Sequence, residues 1–405
     1  MNQEITETKK VKINYKMFFP ILLMFYSIGQ ITSDMYVPSM PAITSIFHST
    51  TSMIQWSMSA YMLGFSLSQL VYGPLTDHYG RRIIILIGLA IGVIGTLICF
   101  GAVSAKMLII GRLIQGIGMG VGITLAGSVM RDLFSGTELA RIGSFMSIGA
   151  TILIGTGPIL GGYFQHYLGW RSVFGFLTIY SLMVWFLVCF FLPETSSENK
   201  PKKFSFKKLF SHFRKILTTK IFLGNVLCTT FAYAGCLAFY TMSTFLLQEK
   251  VGLTPVAYGW SCVVIVLAFL VGSMINARYV MKVGINFMML LGAGLIVIAG
   301  SSMLIAALLG YINIFVIVIP AMIYGFGAIF LMSNAFAGAL TPFPYISGAA
   351  NALYGSIQIG GGFVATSLIA SFKFNSQEPL AIIYLVIGVL TFIALMRLVM
   401  KEQNK

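Results

Sequence analysis

The sequence predicts an all-α integral membrane protein of twelve transmembrane helices in two pseudo-symmetric six-helix halves. Three observations carry that prediction: an apolar composition, a one-sided distribution of basic residues, and an internal repeat. Of 405 residues, 58% are hydrophobic and 9% charged, with a mean hydropathy of +0.90. Soluble domains carry about a quarter charged residues. This chain has too few polar groups to cover a water-facing surface, so no part of it reads as a soluble domain.

A helix needs roughly 20 residues to cross the hydrocarbon, and the spans follow in order. The chain opens with a basic tail, 1–16, holding Lys9, Lys10, Lys12 and Lys16. The next apolar stretch is too long for a signal-peptide core and ends in no small-residue cleavage site, so it is a retained first span over 17–39. Spans over 54–75, 83–104, 107–130, 139–164 and 171–193 complete a first half, 17–193. The stretch 194–218 is the only long polar one, with Lys200, Pro201, Lys202, Lys203, Lys207 and Lys208. It is expected as a cytoplasmic linker that sets topology or meets anionic lipid. Spans over 219–247, 256–279, 286–309, 312–335, 346–371 and 379–400 make the second half, 219–400, and 401–405 is a short cytoplasmic tail.

The basic residues test the count. With both termini cytoplasmic, 21 of the 26 Lys and Arg lie on the inner side. Four of the other five, Lys106, Arg171, Lys250 and Lys373, fall at the outer edge. Cytoplasmic loops accumulate Lys and Arg, and an odd number of spans would break the pattern. The net charge of +15 is therefore a topology signal, and no nucleic-acid partner is expected. The predicted location is the cell (inner) membrane. Cys99, Cys189, Cys228, Cys236 and Cys262 sit in apolar runs without a CxxC pair, which implies neither disulfides nor a metal site.

Shifting the chain by 204 residues lays Trp56-Ser57 on Trp260-Ser261, Thr50 on Thr254, Phe65 on Phe269, Gly80 on Gly284, Gly88 on Gly292 and Gly157 on Gly361. Parallel six-helix halves with substrate bound between them are a recurrent transporter plan. The charges do not repeat: Asp34 falls on Ala238, Asp77 on Met281 and Arg112 on Val316.

Three groups of residues carry the chemistry. The stretch after span 2 is Gly73-Pro74-Leu75-Thr76-Asp77-His78-Tyr79-Gly80-Arg81-Arg82. Its Gly and Pro suit a tight turn, and Asp77 near a helix start can accept backbone N–H groups. Span 5 holds Gly155-Thr156-Gly157-Pro158-Ile159-Leu160-Gly161-Gly162, where Pro kinks a helix and clustered Gly permits close packing. Asp34 alone among the acids sits well within a span, and Arg112 in span 4 is its basic counterpart. Each costs about 2.5–3.5 kcal/mol at mid-membrane, which marks both as functional candidates. Both lie about five residues inside the outer end of their spans, roughly 7–8 Å deep, so they share a level. Tyr26, Gln30 and Asp34 share one face of span 1. Gln115 lies near Arg112, and Tyr233 and Tyr240 occupy the corresponding helix of the second half.

The stretch 73–82 resembles the G-x-L-a-D-r-x-G-r-[RK] loop of the major facilitator superfamily, through Gly73, Asp77, Gly80, Arg81 and Arg82. The span-5 run resembles the G-x-x-x-G-P-x-x-G-G signature of that family's drug:proton antiporters at Gly157, Pro158, Gly161 and Gly162, with Leu153 where glycine is usual. Asp34-Met35-Tyr36-Val37-Pro38, Arg112 with Gln115-Gly116, Arg131-Asp132-Leu133 and Gly169-Trp170-Arg171 look like the bicyclomycin/chloramphenicol-resistance (Bcr/CflA) type. The resemblance implies the major facilitator fold and export of amphipathic molecules against protons. It makes Asp34 and Arg112 the coupling pair and the 73–82 stretch a gate.

The partners expected are a small-molecule substrate, protons and the bilayer, with no cofactor and a working monomer. Burial favours a protonated Asp34 and Arg112 an ionised one, so proton and substrate compete for one charge state. Export of one endogenous metabolite, such as a siderophore or peptide, is the neighbouring alternative, and an uncoupled facilitator or importer a more distant one. A membrane-embedded enzyme would need a nucleophile or metal constellation. His48, His78, His166 and His212 lie in loops or membrane edges without ligand spacing. A receptor or membrane anchor lacks an output domain.

Overall fold

The structure is a computed structural model that describes residues 15–134, 136–195, 206–372 and 376–403. Residues 1–14 of the predicted tail 1–16, 404–405 of the predicted tail 401–405 and 196–205 of the predicted linker 194–218 lie outside the described residues. Helices α1 (Tyr15–Asp34), α2 (Met40–Ile46), α3 (Thr51–Tyr79), α4 (Arg81–Phe100), α5 (Ala105–Met119), α6 (Val121–Leu133), α7 (Gly136–Leu168) and α8 (Trp170–Phe191) come first. They are followed by α9 (Phe206–Leu217), α10 (Lys220–Phe245), α11 (Pro255–Val283), α12 (Ile285–Leu308), α13 (Ile314–Leu340), α14 (Ser347–Ser371), α15 (Glu378–Ala394) and α16 (Lys401–Gln403).

Among the described residues, ten helical segments are long and apolar enough to cross a membrane, with α5–α6, α10 with its π-helical extension and α15 with its own each counted once. The remaining two predicted spans are α1 and α3, of 20 and 29 residues. They are the more polar pair: α1 carries Gln30, Thr32, Ser33 and Asp34, and α3 carries Gln55, Ser57, Ser59, Ser66, Ser68 and Gln69. Every predicted span therefore has its helix.

The repeat survives at atomic detail. Helices α3 and α11 both have 29 residues, 204 positions apart. Thr50 and Thr254 cap them, each hydroxyl accepting the N–H three residues on, at 3.2 and 3.1 Å. Gly80 and Gly284 end them with φ of +101° and +86°, a backbone state open to glycine, and so turn the chain within a single residue.

Two boundaries differ from the sequence expectation, for local reasons. The first span stops at Asp34 rather than continuing to residue 39. Pro38 has no N–H for the Asp34 carbonyl, and its ring crowds that carbonyl. The chain leaves as a 3₁₀ turn, Val37–Ser39. The expected loop over 76–82 is absent: α3 runs through Tyr79, so Asp77 lies in the last turn of α3 and not at the start of the next helix. The stretch 194–218 is also not all loop, since 206–217 form α9.

Helices α3 and α14 cross between the halves along their length, and α7 and α11 form a second seam. The basic face of the bundle carries Arg81, Arg82, Arg131, Arg141, α9, Arg278 and Lys282. Near the opposite face the halves are joined by side chains that donate to backbone carbonyls: Thr244 to Val37 at 2.9 Å, Gln248 to Pro38 at 3.1 Å, Gln55 to Thr241 at 3.2 Å, and Ser52 to Ala370. On the α7–α11 seam, Gly162 meets Pro255, Gly259 meets Pro158 and Gly155 meets Val266, all within the half nearer that opposite face. The opposite face is thus closed.

Candidate transport site

Arg112 lies on α5 with no exposed surface. A guanidinium so placed costs several kcal/mol unless its field and its N–H groups are answered. No salt bridge within 4.0 Å joins it to Asp34 among the described residues. Instead Nη1 donates to the Thr32 carbonyl of α1 at 3.1 Å and to Gln115 Oε1 at 2.7 Å. The rings of Tyr36 and Tyr61 hold the guanidinium carbon at 4.6 and 4.2 Å from their centroids, and Met58 Sδ lies 3.7 Å from Nη2. A desolvated cation–π contact contributes about 2 kcal/mol or more. The cage is itself fixed, since Tyr61 donates to the Gly29 carbonyl at 2.6 Å and the Tyr36 and Ser57 hydroxyls bond at 2.7 Å.

This arrangement gives a test. Tyr61→Leu is expected to lower stability by about 2 kcal/mol or more, while Tyr61→Phe loses one hydrogen bond, about 1 kcal/mol. Thermal unfolding of the purified variants reads the difference. A Phe variant as unstable as the Leu variant would contradict the cage.

Asp34 ends α1 beside this cage, 4% exposed, at the predicted level of Arg112. The glycines of α7 bring their backbone against it. Gly157 faces Asp34 Cβ and Met35 N, and Gly161 faces the Met35 carbonyl. Gly162, one residue on, faces Pro255 of α11. The Gly-Pro-x-x-Gly-Gly run therefore touches the acid-bearing turn with Gly157 and Gly161 and the other half with Gly162.

The other predicted contacts divide. Gln30 and Tyr233 meet across the halves, at 3.4 and 3.5 Å for the two possible donors. Tyr26 and Tyr240 are partly buried against the core. Gln115 differs from the sequence expectation. It is fully buried, with its oxygen on Arg112 and its nitrogen donating to Thr96 Oγ1 at 2.9 Å, so its amide orients Arg112 and presents neither group to a ligand.

At the basic face, Arg81 reaches Thr76 Oγ1 at 2.5 Å and forms a 3.1 Å ion pair with Asp132 of α6. Arg82 donates to the Cys189 carbonyl of α8. The N–H groups of Arg81 and Arg82 donate to the Glu194 carboxylate at 2.9 and 3.3 Å, so the acid at the start of this helix comes from 113 residues away. The Asp77 side chain lies outside the described residues. Gly73 sits on the α3–α14 seam, 3.8 Å from Ala352 by the position its Cβ would take. Sequence reasoning missed Tyr36, Tyr61 and Met58 as partners of Arg112, and Glu194 and Asp132 as partners of the arginines. The only signal for the cage is that Met58, Tyr61 and Phe65 share a helix face, a pattern that any apolar core also makes.

Two like halves of membrane-length helices, a buried acid and base beside their junction, and paired seams define a multi-pass membrane transporter. The chain belongs to the Major Facilitator Superfamily, which matches residues 22–366. It is 28% identical over 372 residues to Multidrug resistance protein D of Escherichia coli (strain K12), covering 91% of this chain and 92% of that protein. It is 26% identical over 347 residues to the Bicyclomycin resistance protein homolog of Haemophilus influenzae, with 86% and 87% covered. A crystal structure of a D-xylose–proton symporter has the same fold, with a TM-score of 0.73, 14% identity, and 96% of this chain and 99% of that one covered.

Proposed function

We propose that this transporter exports amphipathic small molecules, drugs and antibiotics among them, in exchange for protons by alternating access. The observation that carries the proposal is Asp34, a nearly buried carboxyl without a salt bridge to Arg112, packed beside the glycine-lined seam. The names of the multidrug and bicyclomycin relatives support the same direction.

A neutral carboxyl is cheap to bury, whereas an ionised one needs water or a cation. Asp34 carries the proton in the closed state and releases it when its environment is wetted from the inner side. Arg112 stabilises the ionised form from its cage, and Gln115 positions Arg112. Tyr26, Gln30, Tyr233 and Tyr240 contact substrate with Asp34, on a wall of aromatic and Met side chains that accommodates varied shapes. Gly73, Asp77, Gly80, Arg81 and Arg82 latch the basic face, which is cytoplasmic by its charge. The halves at 17–193 and 219–400 rock about the site in the inner membrane, and a single chain suffices.

The test is substrate-driven proton movement in proteoliposomes over a compound panel. Proton release with several unrelated amphipaths is expected. Response to a single metabolite would narrow the substrate, and movement of substrate without protons would overturn antiport.

A further inference from the structure

We propose that α9 is an anionic-lipid sensor, lying in the headgroup region of the inner leaflet with Phe210 and Leu217 in the lipid and Arg214 and Lys215 on phospholipid headgroups. The leaflet rests on the proposed orientation; the lipid contact rests on α9 itself. The twelve residues FKKLFSHFRKIL carry four Lys or Arg and no acid. Apolar residues recur at 206, 209, 210, 213, 216 and 217, a continuous stripe along a helix.

That stripe has two edges with different surroundings. On one edge Ile216 is fully buried with Phe222, Val226, Phe343 and Tyr354, and Phe213 packs on the same cluster. The other edge lies about 100–120° round the helix. There Phe210 is 71% exposed and Leu217 39%. Packing of α9 against α10 and α14 holds this exposed edge at the level where two membrane-spanning helices end. Arg214 and Lys215 are exposed, and Arg214 adjoins the apolar edge. A helix with one edge docked on protein, one apolar edge bare and a basic flank beside it has the chemistry of an interfacial membrane helix. The positive flank selects an anionic surface.

Hydrogen exchange of the full-length protein in nanodiscs tests this. Amides of 210–217 are expected to exchange more slowly in phosphatidylcholine–phosphatidylglycerol discs than in phosphatidylcholine alone. The difference should reach up to roughly thirtyfold, the effect of two charges on surface partitioning. Arg214→Gln with Lys215→Gln removes the lipid dependence, and Arg214→Lys with Lys215→Arg keeps it, while α12 exchanges alike throughout. Equal exchange in both lipids, lipid dependence retained without the charges, or equal protection by added inorganic phosphate would each overturn the proposal. Exchange is read without transport, so the result stands apart from that of the antiport test.

Discussion

Asp34→Asn is expected to abolish uphill efflux while leaving the protein folded and able to exchange substrate downhill. Asn matches the protonated carboxyl in shape but cannot ionise, so the site retains its packing and loses its proton cycle. With one proton per substrate, a pH step of two units supports a concentration ratio of about a hundredfold. Proteoliposomes bearing the variant should stay near a ratio of one under the same step. Exchange down a substrate gradient should persist and become insensitive to pH.

The stability of this variant separates two roles for the acid. Were Asp34 the ion-pair partner of Arg112, its neutralisation would orphan a buried cation and cost about 3–5 kcal/mol. The structure gives Arg112 most of its compensation elsewhere, in the carbonyls of Thr32 and Gln115 and the rings of Tyr36 and Tyr61, with Nε alone left without a hydrogen-bond partner among the described residues. The melting temperature should therefore hardly move. Full uphill coupling in Asp34→Asn would remove the carboxyl from the mechanism, and a collapse of stability would make it structural.

The difference between what sequence and structure reveal follows from the range of the interactions. Span positions depend on runs of apolar residues within one segment, so all twelve are legible. The twofold plan is legible because Thr50 and Thr254, and Gly80 and Gly284, obey the same local cap and turn chemistry. The level of Asp34 and Arg112 follows from counting residues at a fixed rise, and the guanidinium does reach Thr32, two residues before the acid.

What could not be read depends on which helices cross. Glu194 meets Arg81 and Arg82 only because α8 returns to the start of α4. Tyr61 and Met58 look like ordinary core residues until α3 is packed on α5. The Asp34 helix end was readable in principle, since Pro38 sits four residues on, but the apolar run through Met40 suggested continuity. Helix α9 was hidden differently: its charges dominated a polar stretch whose stripe of six apolar residues has helical spacing.

Neighbouring glycines in α7 should give different phenotypes when replaced by alanine, although their chemistry is the same. A Cβ at Gly161 would stand 2.1 Å from the Met35 carbonyl, within the first half and beside Asp34. A Cβ at Gly162 would stand 2.4 Å from the Pro255 carbonyl, across the seam to α11. Both obstacles are backbone, so a helix must move, at about 1–3 kcal/mol. In Gly162→Ala that energy is relieved by parting the halves near the face that is now closed. The open state then gains roughly fivefold to 150-fold relative to the closed one. A cysteine at Ser39 reports it, because Ser39 is fully buried near the seam and its hydroxyl makes no hydrogen bond among the described residues. On a background without the native cysteines, a membrane-impermeant maleimide should label Ser39→Cys several-fold faster with Gly162→Ala. Gly161→Ala cannot relieve its overlap by opening, since both partners belong to the same half. It should leave labelling slow and instead shift the Asp34 turn, with proton-driven efflux reduced more than downhill exchange. Equal labelling in the two variants would mean that the seam between α7 and α11 does not hold the closed state.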